Sequence, residues 1–273
     1  METITSAQNP KIKNLLLLQE KSRARREQGL FVVEGRRELE HCLGAGYTVR
    51  TLFICPEIFG TMDSVENYFL CSSPKNQFST ESGLSVIEIP EQLYRKVAYR
   101  ESTEGIIAEV EYKSLKLEDL KLPENPLVMV LESVEKPGNL GAVLRSADAA
   151  GVDAVIFCDP LTDLYNPNLI RASIGAVFTV PTVAASSEET IAFLKARGIQ
   201  ILTAQLQDSS LYYDVDMRRG TALVMGTEAT GLTDVWRQAA SAHIRIPMLG
   251  RLDSLNVSVS AAILLFEAVR QRQ

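Results

Sequence analysis

The sequence predicts an α/β protein in two parts. A smaller N-terminal α/β domain spans residues 1–112, and a larger domain over 127–273 carries a parallel sheet with helices on both faces. Three observations predict this. Strand-like and helix-like segments alternate along most of the chain. In the second half the strand-like segments, above all LVMVL at 127–131, are continuous apolar runs, as in strands buried on both faces. Between the halves lies KSLKLEDLKLPENP, residues 113–126, which is polar, charged and carries two prolines, and which reads as a linker. A chain of 273 residues suits one large or two medium domains, and its 46% apolar content suffices for a core and excludes a disordered chain.

Taken in order, residues 9–28 read as a helix, with Asn9 as cap, Pro10 at the first helical position and Gly29 past the end. A strand over 30–33, a helix over 35–43 and a strand over 49–54 follow. Residues 56–84 are rich in Ser, Asn, Gly and Pro and show little periodicity. A strand at 85–89, a helix at 91–97 and a strand at 105–110 complete the first unit. Beyond the linker, strands are expected at 127–131, 154–157, 200–204, 221–225 and 243–246. Helices are expected at 140–150, around 168–176, and at 188–197, 233–239 and 256–270. In such sheets ligands sit at loops leaving the carboxyl ends of strands.

Composition excludes several function classes. No apolar run approaches the roughly 18–20 residues that span a bilayer, so no membrane partner is expected. The opening METITSAQNPKIK lacks a signal-peptide core, which points to a cytoplasmic protein. Cys42, Cys55, Cys71 and Cys158 are scattered without a CxxC pair and read as reduced thiols. The two histidines, His41 and His243, lie far apart, which argues against a zinc site or a Ser-His-Asp triad, and no metal is expected. A net charge of −6 does not suit a protein that grips nucleic acid over its whole surface. Yet Lys11, Lys13, Lys21, Arg23, Arg25, Arg26, Arg36 and Arg37 crowd the first 37 residues. Such an arm can bind phosphates locally, or be a solvated helix face.

Three loops carry the chemistry. EKPGNLGAVLRSADAAG, residues 135–151, follows a buried strand; Gly138 and Gly141 suit a tight strand-to-helix turn, with Asn139 in the turn and Arg145 in the helix beyond. It matches neither GxxxxGK[ST] nor GxGxxG. VMGTEATGL, residues 224–232, sets Glu228 between Gly226 and Gly231. IPMLGRLDSLNVSVSAAILLFEAV, residues 246–269, passes Ile246, Met248, Ser254, Leu255 and Asn256 into an apolar helix. Each loop alone has an ordinary reading: Arg145 paired with Asp148 or another carboxylate, Glu228 as a helix-capping acid, Ser254 and Asn256 as caps. Their conjunction after strands of one sheet is the informative feature, because it allows them to converge at one edge.

Together these motifs resemble the SpoU (TrmH-like) branch of the SPOUT RNA methyltransferases. NLGAVLRSADAAG, VMGTEATGL and IPMLGRLDSLNVSVSAAI match its three ordered motifs, and NPNLIRASIGAVF at 166–178 is similar to its intermediate segment. FVVEGRRELEHCL at 31–43 is similar to the L30e-like substrate-binding domain that many members carry. Glu135-Lys136-Pro137 stands where the family often has Asp-Pro or Asn-Pro before the asparagine. Glu104-Gly105 stands where it often has Gln-Gly, which weakens the case for RNA contacts there.

The resemblance implies a C-terminal trefoil knot, a homodimer, and S-adenosyl-L-methionine as methyl donor, with contacts at Thr203, Gly226, Ile246, Met248 and Leu255. It implies methyl transfer to a ribose 2′-hydroxyl of RNA, ribosomal RNA being favoured over transfer RNA. The catalytic set it implies is Asn139, Arg145, Glu228, Ser254 and Asn256. A guanidinium is permanently charged, so Arg145 is expected to orient the ribose and stabilise the developing alkoxide while a phosphate or water takes the proton. Asn139 is expected to orient Arg145 or the ribose, Glu228 to hold Arg145, and Ser254 and Asn256 to fix the acceptor side. Two readings compete: a non-catalytic RNA-binding or ribosome-assembly factor on the same scaffold, and a nucleotide-dependent enzyme on an ordinary doubly wound fold.

Overall fold

The computed structural model describes residues 2–60, 83–99, 104–251 and 254–273. Most of the featureless stretch 56–84, with Cys71, lies outside the described residues. The chain forms two compact units. The first comprises Met1–Ser114 with Tyr165–Thr179, the second Leu115–Leu164 with Val180–Gln273.

In the first unit, strands β1 (Glu2–Thr3), β2 (Leu30–Glu34), β3 (Val49–Ile54), β4 (Ser85–Glu88) and β5 (Ile106–Glu111) form a mixed sheet in the order β1-β4-β3-β5-β2. The helix expected over 9–28 is two helices, α1 (Pro10–Glu20) and α2 (Ser22–Gln28), because Lys21 between them is extended. Asn9 caps α1 as expected, its side chain accepting from Lys11 N at 2.9 Å. Ile12, Leu15 and Leu18 of α1 recur at helical spacing and enter the core beside Phe53 and Ile87. The break leaves carbonyls at the end of α1, and Arg25 answers them: its Nη1 donates to Leu18 O at 2.7 Å and Gln19 O at 3.2 Å. Arg25, read as part of the phosphate-binding arm, is only 2% exposed and is a structural residue. Helices α3 (Arg36–Gly44), α4 (Pro56–Phe59) and α5 (Glu91–Val97) complete the N-terminal part of this unit.

The second unit opens on the segment expected as a linker. Residues 115–126 are no free tether, since Leu117 and Leu120 are buried in this unit's core with Val128, Ile156 and Val224. β6 (Leu127–Glu132) leads to α6 (Pro137–Ala149) and β7 (Ala154–Cys158). Gly138 and Gly141 lie inside α6, and it is Ser133, at φ 51°, that turns the chain after β6.

The chain then enters the first unit as α7 (Pro167–Ser173) and α8 (Ala176–Thr179), where one helix around 168–176 within the second domain was expected. Aromatic packing explains the change of allegiance. Tyr165 stacks on Phe31 with ring centroids 4.2 Å apart, and Phe178 joins Tyr47 edge-on at 5.2 Å. Between the two helices Ile174 and Gly175 both have positive φ, and a Cβ on Gly175 would meet His41 Cδ2 at 3.0 Å.

Back in the second unit come β8 (Thr182–Ala185), α9 (Ser187–Ala196), β9 (Gln200–Ala204), β10 (Ser210–Leu211), β11 (Thr221–Met225), α10 (Asp234–Ala239), β12 (Ala242–Arg245) and α11 (Val257–Arg272). All seven strands run parallel in the order β10-β12-β9-β11-β6-β7-β8. The short strands β1, β8 and β10 were not expected from sequence. The order reverses direction between β6 and β11, the kind of point at which α/β sheets bind ligands. Among the described residues, no helix is long and apolar enough to cross a membrane.

Candidate active site

The three loops singled out in the sequence leave the carboxyl ends of β6, β11 and β12, all in the second unit. Two of them meet directly with the start of α6. Glu228 Oε1 accepts three hydrogen bonds, from Asn139 Nδ2 at 3.1 Å, Asn256 Nδ2 at 2.9 Å and Val257 N at 3.2 Å. Asn256 Nδ2 also reaches Asn139 Oδ1 at 3.1 Å, and Lys136 Nζ lies 3.7 Å from Glu228 Oε2. Asn256 is at the same time the cap of α11, its Oδ1 accepting from Ser258 N at 3.0 Å. Glu228 thus clasps helices α6 and α11 by their first turns.

Arg145 stands apart from this clasp. It is exposed, and it has no hydrogen-bond or ion-pair partner among the described residues. Glu228 does not hold it, contrary to the role expected for that residue, and of the two roles expected for Asn139 a direct bond to Arg145 is not made. Their polar groups bond to each other and to Asn256 instead. Arg145 is therefore free to meet an incoming group.

Beside the clasp is a cavity of about 450 Å³ whose wall includes Gly226, Glu228, Ile246, Met248, Ser254 and Leu255. Six of the ten residues picked from the sequence therefore face one space. Asn139, Arg145 and Asn256 do not line it, and neither does Thr203. Thr203 is fully buried, and its Oγ1 is paired at 2.6 Å with Nδ1 of His243 on the neighbouring strand. Its successors Ala204, Gln205 and Leu206 form that part of the wall. Gly226 is required by the backbone itself, since a Cβ there would lie 2.2 Å from Gly231 O. The 226–231 loop folds back on its own entry, which no side chain at 226 would permit.

Sequence reasoning missed two groups. Glu132, buried at the end of β6, accepts from Thr233 N at 2.9 Å and Thr233 Oγ1 at 2.6 Å, pinning the start of α10 and so the far end of the 226–233 loop. Its signal was a lone acid ending an apolar strand. Gln205 and Arg237 also line the cavity, and each has a buried polar atom, Oε1 and Nε, without a hydrogen-bond partner among the described residues. No local motif marks either one.

Leu206, Ile244, Ile246, Met248, Leu255 and Leu264 make part of the wall apolar, while Gln205, Gln207, Glu228, Arg237, Arg245 and Ser254 make the rest polar. That suits a nucleoside-sized ligand with a flat apolar ring and a polar tail. A profile of the SpoU rRNA Methylase family matches residues 126–266, and one of the MRM3-like substrate binding domain matches residues 9–108. The 23S rRNA (guanosine(2553)-2′-O)-methyltransferase RlmP of Bacillus subtilis is 28% identical over 97% of this chain and 98% of its own. The 23S rRNA (guanosine-2′-O-)-methyltransferase RlmB of Bordetella pertussis is 41% identical over 62% of this chain and 71% of its own. Among solved structures, an RNA 2′-O ribose methyltransferase aligns with a TM-score of 0.81 at 37% identity over 99% of each chain. The AdoMet-bound rRNA methyltransferase of Sinorhizobium meliloti aligns with a TM-score of 0.88 at 30% identity, over 100% of this chain and 98% of that one. The family profile, over residues 126–266, spans the whole parallel sheet, the clasp and every residue of the cavity wall, and this protein belongs to the SpoU rRNA methylase family.

Proposed function

We propose that this protein is an S-adenosylmethionine-dependent RNA 2′-O-ribose methyltransferase acting on ribosomal RNA of the large subunit. The observation that carries this reading is the Asn139–Glu228–Asn256 clasp at the edge of an apolar cavity, with Arg145 left unpaired on the helix the clasp positions. The named activities of the relatives supply the substrate class: RlmP and RlmB are 23S rRNA methyltransferases, which favours ribosomal over transfer RNA.

The cavity residues fit S-adenosylmethionine. The apolar side of the wall suits adenine, and its polar side, with Gln207, Glu228 and Ser254, suits the ribose and the charged tail. Gly226, Ile246, Met248 and Leu255 would hold it. Bound there, it supplies an electrophilic sulfonium methyl group, so the protein need only align the acceptor and manage its proton.

Arg145 donates hydrogen bonds to the ribose oxygen and stabilises negative charge as it develops there. A guanidinium has no lone pair with which to take the proton, so a substrate phosphate or water accepts it. Asn139, Glu228 and Asn256 act through position: they fix the start of α6, and with it the direction from which Arg145 approaches. Ser254, in the cavity wall, faces the acceptor side.

The proposal includes a homodimer. Val259 and Phe266 lie seven residues apart on one face of α11 and are each 48% exposed, an apolar stripe that a second copy would cover. It also includes the trefoil-knotted path typical of the superfamily and a cytoplasmic location. Lys13, Arg26 and Arg37 are exposed cations of the first unit suited to track an RNA backbone.

The test is transfer of label from S-adenosylmethionine to unmodified ribosomal and transfer RNA, followed by digestion to nucleosides. Label in a 2′-O-methylnucleoside from ribosomal RNA is expected. Arg145→Ala should lower turnover roughly 100-fold or more. Arg145→Lys keeps the charge but loses the planar fork, and wild-type turnover by that variant would refute the role given to Arg145.

A further inference from the structure

One aromatic ring of the first unit is held in place yet left open to solvent. Tyr99 follows α5, whose end is fixed by the buried Gln19, its Nε2 donating to Val97 O at 2.9 Å. Tyr99 N donates to Glu34 Oε2 at 2.7 Å, and Asn168 Nδ2 on α7 donates to the Tyr99 hydroxyl at 2.8 Å. The residue is therefore anchored at its backbone and at the tip of its ring, and it is still 42% exposed. Arg171 follows Asn168 by three positions on α7 and is exposed. Its guanidinium has no hydrogen-bond or ion-pair partner among the described residues. Tyr99 and Arg171 line one small recess together with the buried Val32 and Ile170.

These features suit a base lying on the surface rather than a ligand held inside it. A recess of about 20 Å³ has room for little more than one water, so nothing the size of a metabolite enters it. An open ring already fixed at both ends offers stacking area at little further cost in side-chain entropy. Any nucleobase can stack on such a face, and a free guanidinium beside it matches the flanking phosphate. The nucleotide must lie outside a duplex, because a paired base keeps its faces against its neighbours. Glu34, the acid lining the recess, commits Oε2 to Tyr99 N, so the phosphate is expected on the Arg171 side.

We propose that Tyr99 and Arg171 form a subsite for one unpaired nucleotide of the RNA substrate, Tyr99 stacking on its base and Arg171 binding the phosphate beside it. Asn168 positions the ring. The subsite rests on the ribosomal-RNA reading above and deepens it, because it selects a substrate that presents an unpaired nucleotide to the first unit. Asn168 and Arg171 belong to the stretch 165–179 that the fold sends back to that unit, and the subsite gives this return a use beyond packing.

Binding of the full chain to an unmodified transcript of 23S ribosomal RNA, measured across a range of salt, tests this. Tyr99→Leu should weaken binding roughly fivefold or more at an unchanged salt slope, while Tyr99→Phe stays within about twofold of wild type. Arg171→Ala should weaken binding and also reduce the slope of log affinity against log salt by roughly 0.7–1. Asn168→Ala should weaken binding less than Tyr99→Leu. The thermal midpoint should stay at the wild-type value in all four variants. Equal losses in Tyr99→Phe and Tyr99→Leu would assign the effect to the hydroxyl and overturn the stacking role. Losses that follow a lowered midpoint would make the cluster structural and overturn the subsite. Wild-type affinity and slope in both Tyr99→Leu and Arg171→Ala would overturn it too and leave the patch to a protein partner. A wild-type chain that neither binds nor methylates the transcript would instead overturn the ribosomal-RNA reading, and this subsite with it.

Discussion

Asn256 performs two tasks with one side chain. Its Oδ1 caps α11, and its Nδ2 bonds Asn139 and Glu228. Asn139, Glu228 and Asn256 therefore behave as one unit, and their substitutions should not add. Asn139→Ala and Asn256→Ala are each expected to lower kcat/KM, and the double variant to do little worse than the poorer single one. The coupling should fall at about 0.5–3 kcal/mol, and strict additivity in a double-mutant cycle would contradict the clasp. Asn256→Ala should also cost about 1 kcal/mol of stability through the lost cap, which Asn256→Asp would retain. Glu109 is a different case. Burial on β5 raises its carboxyl above the ordinary value of 4.5, against the bonds from Thr51 and Asn14 and the charge of Lys11, which pull it down. The folded chain therefore holds this proton to higher pH than the unfolded chain. Stability from this group is present below the unfolded value and is lost as pH rises through the folded one. Glu109→Gln should flatten that slope and raise the midpoint of the first unit near neutral pH, as followed by tyrosine circular dichroism between pH 4 and 8. A pH-independent effect of the substitution would contradict it.

At the scale of elements, the break between α1 and α2 shows how one charged residue changes meaning with burial. Arg23, Arg25 and Arg26 are equivalent in the sequence, yet Arg25 points inward to the carbonyls of Leu18 and Gln19 while Arg23 and Arg26 are exposed. Arg25→Ala should destabilise the first unit by about 1–3 kcal/mol, because it leaves buried carbonyls without donors. Charge reversal at Lys13, Arg26 and Arg37 should leave the thermal midpoint unchanged and weaken RNA binding, most at low salt. If Arg25→Ala proved as stable as wild type, the capping role would fail. Helix Glu91–Val97 and strands Val49–Ile54, Gln200–Ala204 and Thr221–Met225 match the sequence reading residue for residue. Each opens within three residues of a glycine or proline: Pro90, Gly46, Gly198 and Gly220. Thr182–Ala185 escaped because a four-residue strand carries too little periodicity to stand out from its Pro-Thr and Ser-Ser flanks.

For the whole molecule, the proposed dimer rests on the exposed stripe on α11. By periodicity alone, Val259, Ile263, Leu264 and Phe266 favour a core helix over a dimer seam. The structure divides them: Leu264 is buried, while Val259 and Phe266 are each 48% exposed. Val259→Glu combined with Phe266→Glu should convert a dimer to a folded monomer in sedimentation velocity. A wild-type monomer at micromolar concentration would remove this part of the proposal. The boundaries of the units also belong to this scale. The sequence reading divides the chain once, whereas the fold sends residues 165–179 back to the first unit.

The sequence by itself determined the parallel α/β class, the three loops and six of the residues gathered around the cavity. Continuous apolar runs and ordered glycine loops are local signals, and a sheet edge brings such loops together whatever the detail. Tertiary structure alone decided which polar partners these residues take. Glu228 bonds Asn139 and Asn256 rather than Arg145, Thr203 turns to His243, and Tyr165 stacks on Phe31. Each of these pairs joins residues at least 28 positions apart, a separation over which periodicity and capping carry no information.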